Sequence, residues 1–137
     1  MADQIELEVV TPERQLVREA VTEAQIPAKE GYIGVLPGHA PLLSLLGSGY
    51  LSYTAGGQKK VLAIHGGFVE VLPGNIRVLA NLAERAEEID LEKARAALKA
   101  ANDKLTSSVS AGSAVDPAVA LEEAELARAR VDAAELK

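Results

Sequence analysis

The sequence predicts an N-terminal antiparallel β-sandwich followed by a C-terminal α-helical hairpin. Apolar residues recur with period two up to about residue 83 and with helical spacing from Asp90 onward. The first stretch is also broken at short intervals by turns rich in glycine and proline, as in all-β domains. The expected division is a β-sandwich over 1–86 and a two-helix unit over 87–137, with helices at about 90–105 and 116–136 and a flexible link over 106–115.

Each element has its own signal. Ile5, Leu7 and Val9 alternate with Gln4, Glu6 and Glu8, which reads as a half-buried strand. Thr11-Pro12-Glu13 supplies a turn. Residues 16–20 and 21–26 read as further short strands, and the glycine- and proline-rich passage from Gly31 to Pro41 reads as loop. Two hairpins follow. Ala55-Gly56-Gly57-Gln58 joins residues 50–54 to 60–64, and Pro73-Gly74-Asn75 joins 67–72 to 76–80. Leu91, Ala94, Leu98, Ala101 and Leu105 then share one helical face, with Asp90 as N-cap. Asp116-Pro117 starts the second helix with a cap and a proline at the first helical position. The hairpin face is mostly alanine: Ala94, Ala97 and Ala101 in the first helix, and Ala120, Ala124 and Ala127 in the second. Alanine favours helix but buries little area, so close and weak packing is expected. A generic helical appendage explains the same pattern.

Composition narrows the function. The chain has 137 residues, no cysteine, 3% aromatic residues and a net charge of −6. Disulfides and cysteine nucleophiles are excluded, and nucleic-acid binding is disfavoured. No apolar run is long enough to span a bilayer, and Met1-Ala2-Asp3 reads as a plain cytoplasmic start. Phosphate-loop and dinucleotide fingerprints are absent, and Gly47-Ser48-Gly49 lacks the spacing of a nucleophile elbow. His39 either fastens its loop by hydrogen bonds or meets a partner; His65, before Gly66-Gly67 at an expected strand end, reads as structural. Glu87, Glu88 and Asp90 read as a solvated acidic run at a helix start. The first helix, from Asp90 to Leu105, has net charge +1 and the second, from Asp116 to Lys137, has −3, so neither is a basic membrane-surface helix. Without a nucleophile–base pairing, a hydrolase is disfavoured. A free-standing β-sandwich adaptor with a helical arm is the alternative that the fold also allows.

Several strings together resemble one family. They are Val9-Val10-Thr11-Pro12, the loop from Gly34 through Pro37-Gly38-His39-Ala40-Pro41 to Leu42, Gly66-Gly67-Phe68-Val69-Glu70-Val71, and Ala83-Glu84-Arg85-Ala86 before Ile89-Asp90. Across essentially its whole length the chain resembles the epsilon subunit of bacterial rotary F-type ATP synthases. The resemblance implies a non-catalytic central-stalk subunit that couples ion-driven rotation of the c-ring to ATP synthesis. Its partners would be the gamma subunit, the c-ring and, when the hairpin extends, the alpha/beta head. It would lie peripherally at the cytoplasmic face of the bacterial inner membrane and require no cofactor.

The resemblance also implies site residues. Glu30, Gly31 and Tyr32 form the loop expected to face the c-ring. Many relatives carry an acid where Tyr32 stands, which leaves Glu30 as the ionic partner. His39, Ala40, Pro41 and Leu42 are the expected gamma contacts, and Arg128 and Arg130 the expected beta-subunit contacts. The extended hairpin is expected to inhibit ATP hydrolysis modestly, because its last helix is net negative. Some relatives bind ATP through an Ile/Leu-Asp-x-x-Arg-Ala motif. Here Glu84, Ile89, Asp90, Lys93, Ala94 and Arg130 would form that site. Lys93 stands where arginine is expected, and Ala100 and Ala134 stand where ATP-binding relatives carry arginines. Lysine lacks the planar fork of arginine, so weak or absent ATP binding is expected. Asp90 acting only as an N-cap is the simpler role.

Overall fold

The computed structural model describes residues 3–137, so the N-terminal start read at Met1-Ala2 lies outside the described residues. Eight strands come first: β1 (Ile5–Val10), β2 (Gln15–Val21), β3 (Glu23–Ala28), β4 (Gly31–Val35), β5 (Leu42–Leu45), β6 (Ser48–Ala55), β7 (Gln58–Val71) and β8 (Asn75–Arg85). A single 3-10 turn (Ala86–Glu88) leads into helices α1 (Leu91–Ser108) and α2 (Pro117–Glu135).

The strands form one sheet in the order β2-β1-β8-β7-β6-β3-β4, with β5 also on β7. The sheet becomes a sandwich because β7 and β8 serve both layers. Residues 68–71 of β7 pair with β5, and residues 58–65 pair with β6. The change of partner falls at Gly66 and Gly67, both at positive φ (69° and 109°). A Cβ on Gly67 would collide with the Leu79 carbonyl, so only glycine permits this crossing. The sequence predicts a strand end at His65; the two glycines instead carry a single long strand through the corner. The pairing of β1 with β8 is parallel, an exception to the antiparallel plan. The passage from Gly31 was expected to be loop, but residues 31–35 pair with β3 as β4.

Alternation places Ile5, Leu7 and Val9 in the sandwich core with Ile26, Leu51, Ile64, Val69, Ile76 and Val78. Val61, Leu62, Ala63 and Ile64 are all buried in succession. Leu62 and Ile64 point into the sandwich, whereas Val61 and Ala63 point out beneath the hairpin. A sheet covered on both faces loses its polar alternation.

The helices match their caps. Asp90 Oδ1 accepts from the Lys93 amide at 3.2 Å, and Asp116 Oδ1 accepts from the Ala118 amide at 2.9 Å. Helix α1 runs to Ser108, into the expected link. Its last three residues are hydroxylated, and Thr106, Ser107 and Ser108 each donate back to a carbonyl in the final turns. The predicted α1 stripe is observed, with Ala94 buried and Leu91, Leu98, Ala101 and Leu105 half-buried. Ala97 is exposed, contrary to expectation, because α1 packs chiefly against α2 and needs only a narrow stripe. Helix α2 lies between α1 and strands β6 and β7, so it buries more of its circumference: Ala120, Ala124, Ala127, Ala129, Val131, Ala133 and Ala134.

Candidate functional site

Two surfaces emerge: the seam between hairpin and sandwich, and an exposed apolar face of the sandwich. The seam has an alanine-rich core, where Ala133, Ala134 and Val131 of α2 meet Val61 and Ala63 of β7, closed by Ile89 and Ala86. Polar tethers flank it. Arg130 on α2 grips Glu84 on β8 with a two-pronged fork, Nε to Oε2 at 2.8 Å and Nη2 to Oε1 at 3.3 Å. The bond to Glu84 raises the Arg130 pKa further. Ser48 Oγ donates to the Glu125 carbonyl at 2.9 Å, and His65 Nε2 lies 3.4 Å from Glu122 Oε1. His65 thus has a structural place, though its Nδ1 is buried without a partner. Asp132, half-buried on the same helix, has its carboxyl pKa raised by burial.

The expected c-ring loop is rearranged. Ala28 pairs with Gly31, which leaves Lys29 and Glu30 at the tip of a tight turn. Tyr32 lies on β4 instead of in the loop. Its ring stacks on Tyr50 with centroids 4.8 Å apart, and its hydroxyl accepts from the Tyr50 amide at 3.1 Å. Burial raises its pKa, with a smaller push from the Asp132 carboxylate.

Of the residues expected to hold ATP, Glu84 and Arg130 are joined by the fork across the seam. Glu84 and Arg130 line a cleft of about 460 Å3 together with Arg14, Glu88 and Leu126. Asp90, Lys93 and Ala94 do not line it. Ile89 and Ala94 are buried in the seam, Asp90 caps α1, and Lys93 is exposed. The Ile89 carbonyl accepts from Lys137 Nζ at 2.6 Å. Glu88 binds Arg14, whose hydrogen bond lowers the Glu88 pKa below the usual carboxylate range. Within the acidic run, therefore, Glu88 is ion-paired, Asp90 caps the helix and Glu87 is exposed.

The His39 loop is pinned. Gly38 donates to the Pro73 carbonyl at 3.0 Å and His39 to the Leu36 carbonyl at 3.1 Å. His39 Nδ1 lies 2.6 Å from the carbonyl of Ala40. Leu42 opens β5 opposite Val71. Beside this loop runs the apolar face. Leu45, Phe68 and Leu79 are aligned across β5, β7 and β8, and Leu43 sits on the next outward row. Leu43 is 72% exposed and Phe68 51%. This face was not among the surfaces expected from the sequence. Its signal was apolar residues at both parities, as in Leu42-Leu43 and in Val78-Leu79-Ala80. Arg128 stands exposed on α2. Among the described residues no helix is long and apolar enough to cross a membrane, and no metal-ligand cluster is present.

Comparison with known proteins decides the family. The family model for the beta-sandwich domain of the ATP synthase Delta/Epsilon chain matches residues 4–86. The chain belongs to the ATP synthase delta/epsilon family. It is 55% identical over all 137 residues to the full length of the ATP synthase epsilon chain of Solibacter usitatus (strain Ellin6076). It is 51% identical over 105 residues to that of Carboxydothermus hydrogenoformans, covering 77% of this chain and 78% of the relative. Among solved structures, a chain of the Euglena gracilis mitochondrial ATP synthase (OSCP/F1/c-ring) superposes with a TM-score of 0.77 at 31% identity, covering 100% of this chain and 84% of that one. A chain of the Tetrahymena thermophila mitochondrial ATP synthase shares the fold, with a TM-score of 0.62 at 15% identity, covering 95% of this chain and 96% of that one. As a member of the ATP synthase epsilon family, the chain is a non-catalytic subunit with a coupling and regulatory role in the rotary complex. The adaptor alternative is set aside. The subunit is peripheral, associated with the membrane through that complex.

Proposed function

We propose that this subunit sits in the central stalk at the cytoplasmic face of the bacterial inner membrane. In this reading residues 1–86 form the rotor-binding unit and residues 87–137 a detachable hairpin. The gamma subunit docks on His39, Ala40, Pro41 and Leu42 and on the adjoining face of Leu43, Leu45, Phe68 and Leu79. The observation that carries this is the continuity of the pinned loop with a solvent-facing apolar row, since contiguous exposed apolar surface marks an interaction site. A pinned loop also costs little ordering on docking. The turn tip at Glu30 offers its carboxylate to the c-ring, with Gly31 holding the turn at φ 137°. Tyr32 supports this turn from β4.

When the hairpin extends, Arg128 and Arg130 meet acidic segments of the beta subunit. Arg130 must first leave Glu84, which makes release a competition between two acids for one guanidinium. Inhibition of hydrolysis is modest because α2 is net negative. ATP binds weakly or not at all: Glu84 and Arg130 satisfy each other, and Asp90 is engaged as a cap.

The test is a pull-down with tagged chain from gently solubilised membranes, read by mass spectrometry. The wild type is expected to recover alpha, beta, gamma and c subunits. A Leu43→Asp/Phe68→Asp variant, with unchanged circular dichroism, is expected to lose them. Full recovery by that variant would refute the apolar docking face.

A further inference from the structure

A second groove, of about 480 Å3, opens where the β6–β7 turn, the end of β8 and Lys137 meet. It shares no lining residue with the Glu84–Arg130 cleft. The chain carries 20 acids against 14 bases, yet this groove is lined by four bases and two acids. The bases are Lys59, Lys60, Arg85 and Lys137.

Two carboxylates offset part of this charge and leave an excess of two bases among the lining side chains. Glu19 already accepts from Tyr53 Oη at 2.8 Å and from Lys60 Nζ at 3.1 Å. The Tyr53 hydrogen bond holds Glu19 below its usual range, so it stays ionised and matched to Lys60. Glu87 is the other acid. Arg85 donates to the Leu16 carbonyl at 2.7 Å, and its second arm reaches Glu88, which Arg14 also holds. Lys137 donates to a neutral acceptor, the Ile89 carbonyl. Lys59 joins no ion pair among the described residues. Leu16, Val61 and the Tyr53 ring also line the groove, each nearly fully buried beneath these cations.

We propose that this groove binds a small organic anion bearing a phosphate or paired carboxylates. Its volume falls within the roughly 300–1,000 Å3 of small-molecule sites. Lys59, Arg85 and Lys137 have donors left for an anion, and charge-assisted bonds are the stronger kind.

The test titrates the 15N-labelled full chain with phenyl phosphate, and in parallel with inorganic phosphate, by NMR. Saturable shifts confined to the amides of 58–61, 85–87 and 136–137 are expected, with phenyl phosphate the tighter ligand. Lys59→Ala/Lys137→Ala, two exposed positions, is expected to weaken phenyl phosphate about tenfold, a loss of about 1.4 kcal/mol. Lys99→Ala/Lys104→Ala on α1 is expected to leave binding unchanged. The proposal fails if neither probe saturates, if shifts appear equally around Lys99 and Arg128, or if the Lys59/Lys137 variant binds as tightly as wild type. Equal affinity for the two probes would refute an organic anion as the ligand.

Discussion

The two faces of β7 anchor two cores of different construction. Inward, Leu62, Ile64, Val69 and Val71 meet the leucines, isoleucines and valines of the sandwich. Outward, Val61 and Ala63 meet Ala133, Ala134 and Val131 of α2. Large side chains interlock and contribute roughly 1.5–3 kcal/mol each on burial, whereas alanine contributes about one methyl group. The difference teaches that one strand can serve a core of large side chains on one side and of small ones on the other, which is the basis of the proposed detachable hairpin. The hairpin compensates for its small side chains with polar tethers, which are directional and exchangeable with another partner.

The contrast is broken most severely from the inside. Ile64→Ala, at a fully buried position, is expected to cost about 2–5 kcal/mol of global stability in chemical denaturation. Next is Arg130→Ala, which removes the fork to Glu84 and should loosen the hairpin by about 1 kcal/mol, since both side chains are about one-third exposed. Tyrosine fluorescence reads it. The chain has no tryptophan, and Tyr32 and Tyr50 lie near α2. Their emission should change while global denaturation of the sandwich does not.

Acid sharpens the comparison with opposite signs. Glu19 and Glu88 have pKa values below their ordinary 4.5, through bonds from Tyr53 and Arg14 respectively. Their stabilisation is present above 4.5 and is lost as pH falls through the lowered values. Asp132 is raised above its ordinary 3.8 by burial, so its neutral form is favoured when α2 is docked. That contribution is complete below 3.8 and fades as pH rises through the raised value. Asp132→Asn is therefore expected to tighten docking at neutral pH, slowing proteolysis of the link between α1 and α2. The smallest effect expected is that of Tyr32→Phe. It removes the acceptor of the Tyr50 amide at a site open to water and should cost about 0.5 kcal/mol in the same denaturation assay.

Much of this was legible in the chain. Period two, period 3.6 and the Asp90 and Asp116 caps located the sandwich, the hairpin and the helix starts, because these are local signals. The parallel pairing of β1 with β8 was not legible, since the hydrophobic period is the same for either direction. Nor was the hairpin's resting place. The run Val61-Leu62-Ala63-Ile64 announces a strand covered on both faces, but not which element covers it. The fork between Glu84 and Arg130 joins residues 46 apart in sequence. The candidate surfaces were half-visible: the Pro-Gly-His-Ala-Pro loop stood out, while the adjoining Leu43–Phe68 face appears only once three strands are aligned.

The central claim is that sandwich and hairpin are separable cores. Native-state hydrogen exchange on the full chain tests it directly. Amides of α1 and α2 are expected to exchange through an opening of lower free energy than that of β7 and β8, and with less exposed surface. A single shared opening for helices and sandwich would contradict it.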